Sequence, residues 1–153
     1  MQIMAAKRKS WREKLKDDKG LPKVITMDGR LSRRWGEGTC VIPAPRDVDA
    51  QMRLVPPGAL VTLDQIREAL ARHYRTTIAC PLTTGIFAWI AAHAAAEAFE
   101  AGESNATPYW RTLKARGELN PKYPGGIDGV RQHLESEGHK VIQKGRRHFV
   151  ANL

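Results

Sequence analysis

The chain has 153 residues, 42% of them hydrophobic, and carries a formal charge of +9 from 25 Lys and Arg against 16 Asp and Glu. That length supports one ordinary core and excludes two well-packed domains with a long linker. The charge favours a polyanionic partner, nucleic acid first. No membrane partner is expected, because the most apolar stretch, Ile86 to Phe99, is shorter than the ~20 residues a bilayer span needs and His93 and Glu97 interrupt it.

Met1 to Ser10 is basic but lacks the apolar segment of a signal peptide, and Glu13, Asp17 and Asp18 argue against a mitochondrial leader. Cys40 and Cys80 have no partners at metal-ligand spacing, so reduced thiols and a cytoplasmic location are expected. In Lys7 to Lys19, Trp11 and Leu15 sit at helical spacing among lysines and arginines, which predicts a short basic helix. Gly20 to Pro45 reads as loop with a strand or two at Val24-Ile25 and Cys40-Val41-Ile42, and Arg30, Arg33 and Arg34 add charge near Trp35. Residues 1–44 therefore read as a basic N-terminal extension and residues 45–153 as the domain.

Val48, Met52 and Val55 are spaced for one face of a helix that Pro56-Pro57-Gly58 must end. Thr62 is a candidate N-cap for Leu63 to His73, with Ile66, Ala69 and Leu70 as its apolar stripe. Cys80-Pro81 opens an alanine-rich helix to about Ala101 that is apolar around most of its circumference and so belongs to the core. Asp128 to Glu137 predicts a further helix with Val130 and Leu134 inward and Gly138 as its stop. Finally, Lys140 to Gln143 and Arg147 to Val150 flank Lys144-Gly145-Arg146 as a terminal β-hairpin with a basic tip. The expected class is mainly α (α+β), compatible with a winged helix-turn-helix carrying additions.

Four features in order then resemble the DNA-binding domain of the alkylguanine-DNA alkyltransferase family, over about residues 45 to 140. They are Val55-Pro56-Pro57-Gly58 with Thr62 and Ile66, the stretch Pro81 to Ala92, Pro108-Tyr109-Trp110-Arg111, and Tyr123-Pro124-Gly125-Gly126-Ile127 leading to Leu134, Glu137 and Gly138. The resemblance implies that Pro81 to Ala92 is a recognition helix and that Pro108 to Arg111 occupies the reactive Pro-Cys-His-Arg motif. Here the cysteine is Tyr109 and the histidine is Trp110. The family's chemistry needs an ionisable thiolate, and a phenol with a pKa of about 10 is a poor substitute, so alkyl transfer by that route is not expected. The finger arginine expected near Thr84 to Ile86 is missing, as is the tyrosine expected where Leu63 stands. The chain is similar in kind to the non-enzymatic alkyltransferase-like proteins, which lack the cysteine and flag alkylated DNA for repair.

That likeness implies a base pocket of Tyr109, Trp110, Arg111, Tyr123 and Glu137, in which Tyr109 and Trp110 either stack on an everted base or fill the former active site. Arg111 either meets phosphate or braces its neighbouring loop. Thr83 and Thr84 at the helix start, with Lys114, Arg116, Lys122, Lys140, Lys144, Arg146 and Arg147, are the candidates for DNA contact. The expected partners are double-stranded, modified or distorted DNA and repair proteins, with the protein itself a monomer. Neither a cofactor nor a metal is expected, since the five histidines lack ligand spacing. Two other readings stay open: an enzyme acting on DNA adducts through Cys80, a thiol just before a helix start, and a protein-interaction module that has lost DNA binding.

Overall fold

The structure, a computed structural model, describes residues 8–151. Lys7, where the expected basic helix begins, and most of Met1 to Ser10 lie outside the described residues.

The helix after Cys80 organises the rest. Pro81 at its first position has a preset φ and no donor to waste, and the alanines that follow are the strongest helix formers. The result is α5, Pro81–Glu100, with Phe87, Ala88, Ile90, Ala91, Ala92 and Ala95 buried. By length and composition α5 would suffice to cross a membrane, with mean hydropathy 1.2, yet half of that window is buried within this protein. Against it pack α3, Pro45–Arg53, and α4, Leu63–Tyr74. Val48 and Met52 of α3 and Ile66 and Leu70 of α4 enter the core as their spacing predicts, whereas Ala69 is only half-buried and Ala71 is buried in its place.

Thr62 caps α4 as expected. Its Oγ1 accepts from the Gln65 N–H at 3.3 Å, and Gln65 Oε1 accepts from the Thr62 N–H at 2.9 Å, which satisfies two of the donors a helix start leaves free. Thr62→Ala is expected to cost about 1 kcal/mol, read as a lower urea midpoint at unchanged slope. An unmoved midpoint would mean that Gln65 suffices alone.

Before α3 the chain forms α1, Trp11–Lys16, then β1, Lys23–Met27, α2, Gly29–Trp35, and β2, Gly38–Ile42. α1 is shorter than its charge pattern suggests, and it lays Trp11 edge-on against Trp89 and stacked on His93 of α5, with ring centroids 4.7 and 4.6 Å away. β1 and β2 pair antiparallel, and β2 continues in parallel to β4, Ile78–Ala79. α2 departs from the loop expected there. Leu31 and Trp35, four apart, pack on a small cluster of Met27, Cys40 and Cys80, and such packing stabilises a helix too short to stand alone. Gly29 at its first position and Gly36 just after it gave that segment the composition of a loop.

A parallel pair of β3, Val61–Thr62, and β5, Thr112–Leu113, ties the start of α4 to the segment after α5. α6, Gly126–Ser136, buries Val130 and Leu134 and stops at Gly138, whose φ is +92°. β6, Val141–Lys144, and β7, Arg147–Val150, form the hairpin. Lys144 belongs to the strand, and the turn is Gly145-Arg146, with Gly145 at φ +63° where a two-residue hairpin turn needs a positive φ. The class is mixed helix and strand, with three small sheets among the described residues.

Candidate functional site

The β3–β5 pairing sets Arg111 beneath the turn that precedes α4. Its Nη1 donates to the Val55 carbonyl at 2.9 Å, its Nε to both Glu137 oxygens at 2.9 and 3.1 Å, and its Nη2 to Glu137 Oε2 at 2.5 Å. The two side chains are only 11% and 13% exposed. One guanidinium thus joins the turn before α4, the 3₁₀ turn Tyr109–Arg111 and the end of α6. Hydrogen bonding from Arg111 holds the Glu137 carboxyl below its usual range despite burial. Trp110 lies under the guanidinium, 5.3 Å from its ring centre, and stacks on His133 at 3.9 Å. Its indole N–H lies beside the Glu137 carboxylate, yet no acceptor meets it at hydrogen-bonding geometry. Burial lowers the His133 pKa, which leaves the ring neutral near pH 7.

Tyr109 makes edge contacts with Trp110, Tyr123 and His133, at 5.3, 6.0 and 6.0 Å between ring centres. The structure therefore brings Tyr109, Trp110, Arg111, Tyr123 and Glu137 together. It also closes them, for Tyr109 is 6% and Tyr123 3% exposed, so a base could enter among them only by displacing an aromatic ring. Burial raises the pKa of both phenols, making them still weaker nucleophiles near neutral pH. The open space beside this cluster, about 380 Å³, instead runs past Trp110 and Arg111 toward Pro56, Pro57 and Phe99. His133, which the sequence did not single out, completes the cluster, and its four-residue spacing from Glu137 on α6 was the available signal.

The DNA-contact candidates divide. Thr84 is fully buried and its Oγ1 donates to the Cys80 carbonyl at 2.7 Å, so this hydroxyl is turned into the protein and not offered to a phosphate. The correction has a physical cause, since a threonine inside a helix can bond the carbonyl four residues back. Thr83 is half-buried, and its hydroxyl has no partner among the described residues. Lys114 is half-buried and lies 4.0 Å from Glu118. Arg116, Lys122, Lys140, Lys144, Arg146 and Arg147 are exposed.

Lys114 and Lys122, with Asn120 and Pro121, form one wall of an apolar groove of about 490 Å³. Leu63, Leu82, Ile86 and Trp89 line the other side. On its far side the same 114–122 segment joins the hairpin, through the Leu119 N–H to the His148 carbonyl at 2.9 Å and a bridge between Glu118 and Phe149. Groove, loop and basic hairpin are therefore continuous.

Cys80 is 6% exposed beside the fully buried Cys40, whose thiol burial pushes up to about 11. Neither thiol reaches the surface that an adduct on DNA would need. Among the described residues no group of three His, Cys, Asp or Glu could hold a metal.

No protein-family model matches the chain, and no curated protein matches it. Among solved structures it is similar to S. pombe Atl1 in complex with damaged DNA containing O6-carboxymethylguanine, at 20% identity and a TM-score of 0.50, over 71% of this chain and 88% of that one. At that identity the likeness concerns the fold, which is similar to that of an alkyltransferase-like protein.

Proposed function

We propose that this protein binds double-stranded DNA without chemistry, as a winged-helix-like domain that uses the first turns of α5 and the β6–β7 hairpin and prefers alkylated or distorted duplex. The reading rests on the continuity of the α5 groove, the 114–122 loop and the hairpin, along which Lys114, Arg116, Lys122, Lys144, Arg146 and Arg147 are spread. Exposed cations in a row gain affinity by displacing counterions from phosphates. The net charge of +9 and a fold similar to that of a protein solved with damaged DNA support it. The reading of binding over chemistry is supported by the buried phenol in the position of the resembled family's thiolate and by the burial of both thiols.

In this role the Tyr109, Trp110, Arg111 and Glu137 cluster braces the loop that carries Lys114 to Lys122 and leaves the contacts to its neighbours. Competition binding of an O6-alkylguanine duplex against the unmodified duplex, at several salt concentrations, tests the proposal. Affinity is expected to fall linearly on a log–log plot against salt, with the modified duplex preferred. Binding that is absent or indifferent to salt would sink the DNA reading, and equal affinities would remove the lesion preference alone.

A further inference from the structure

The sheet of the N-terminal segment runs β1-β2-β4, so β2 pairs with one side of β1 and no strand among the described residues pairs with the other. The hydrogen bonds show which groups are left over. The Thr77 N–H donates to the Thr39 carbonyl at 3.0 Å and the Cys80 N–H to the Val41 carbonyl at 2.9 Å, so Thr39 and Val41 turn their backbone groups toward β4. In an antiparallel pair, opposite residues either bond each other or both face away, and the residues opposite Thr39 and Val41 are Thr26 and Val24. Val24 and Thr26 therefore present N–H and C=O groups outward, where no backbone group among the described residues meets them. Unpaired donors and acceptors along an edge are a template for one more strand.

The side chains indicate what that strand carries. Val24 is 52% exposed and Thr26 is exposed on the same outer face, while Ile25 and Met27 alternate to the face that Leu31 and Trp35 of α2 cover. A strand laid along β1 places its own side chains alternately beside Val24 and on the side of α2. On α2, which lies over β1, Arg30, Arg33 and Arg34 are exposed, and none meets a carboxylate among the described residues. Arg34 only rests over the Trp35 ring, at 5.7 Å. Nucleic acid matches the arginines but has no row of amides to match the strand edge, whereas an acidic peptide matches both.

We propose that the open edge of β1 binds an extended peptide segment of a partner protein, in which apolar residues that pack on Val24 alternate with carboxylates that meet Arg30, Arg33 and Arg34. This surface shares no residue with the groove and hairpin assigned to DNA. The protein can then hold a duplex and a partner's strand together.

The test titrates the full chain with a fluorescein-labelled peptide of alternating valine and glutamate and follows the backbone amides by hydrogen exchange in NMR spectra. Binding is expected to protect the Val24 and Thr26 amides, and a saturating duplex is expected to leave the peptide in place. The same peptide methylated on every amide nitrogen, which cannot pair with a strand, is expected not to bind. Arg30→Glu/Arg33→Glu/Arg34→Glu is expected to weaken binding about tenfold or more, because like charges then face one another, with the melting curve kept since all three side chains are exposed. Thr26→Pro removes an outward N–H without removing a bond to β2, and is expected to lose the peptide as well; should that variant fail to fold, the methylated peptide on the wild type decides. No binding of the unmethylated peptide, binding that survives methylation, or binding that leaves the Val24 and Thr26 amides unprotected overturns the strand addition. Displacement of the peptide by duplex or single-stranded DNA overturns it in favour of nucleic acid.

Discussion

Glu137→Ala is expected to destabilise the protein by about 3 kcal/mol or somewhat more, because removing one partner of a largely buried ion pair leaves the other charge uncompensated. The stranded group is Arg111, 9% exposed and, among the described residues, bonded otherwise only to the Val55 carbonyl. For a chain of this size the loss corresponds to a fall in melting temperature of about 10 °C. The pH dependence has a fixed sign. Glu137 has a folded pKa below its ordinary 4.5, so its contribution is complete above that value and is lost as pH falls through the lower folded value. His133 is also lowered, from 6.5, chiefly by burial, so its contribution is complete above 6.5 and is lost on acidification through its own folded value. Melting temperature should therefore decline from near neutrality downward, first through His133 and then through Glu137, and Glu137→Gln should flatten the lower window while lowering the folded pKa of His133 further, because the Glu137 charge raises it. An alanine variant that melts within a degree or two of wild type would show that the clamp does not hold the fold.

The hairpin tip should carry the largest effect on binding. With Lys144, Arg146 and Arg147 replaced together by alanine, the slope of log affinity against log salt is expected to shrink by about 2.7, which near 0.1 M salt is a loss of about a hundredfold or more. All three residues are exposed, so stability should be nearly unchanged. Lys144 only lies 5.8 Å over the Phe149 ring. Gel shifts from 50 to 300 mM salt measure the slope directly, and an unchanged slope would take the hairpin out of the interface. Since phosphate contacts position without reading bases, the loss should be the same on modified and unmodified duplexes.

Local signals were legible wherever one residue type has one structural use. Thr62 marked the start of α4, Pro81 the start of α5, Gly138 the end of α6, and Gly145 the hairpin turn. α2 was not legible, because its Leu31 and Trp35 stripe is too short to signal a helix without the cluster that it covers. The assignment of Thr84 to DNA contact failed for a related reason. Position on a helix is visible in a sequence, while the face turned inward is set by what packs against it.

The sequence by itself determined the order of the longer helices and the terminal hairpin, the basic excess, and a tyrosine where the resembled family carries its thiol, since caps, prolines, charge and residue identity act locally or by simple sum. Only the tertiary structure decided that Tyr109, Trp110, Arg111, Tyr123 and Glu137 close on one another, that both cysteines are buried, and that Leu82 and Ile86 stand out on a lysine-rimmed groove. Those outcomes depend on contacts between segments far apart in the chain, such as Arg111 with Glu137 across 26 residues and β2 with β4. Burial is a property of the assembled faces and not of any one segment.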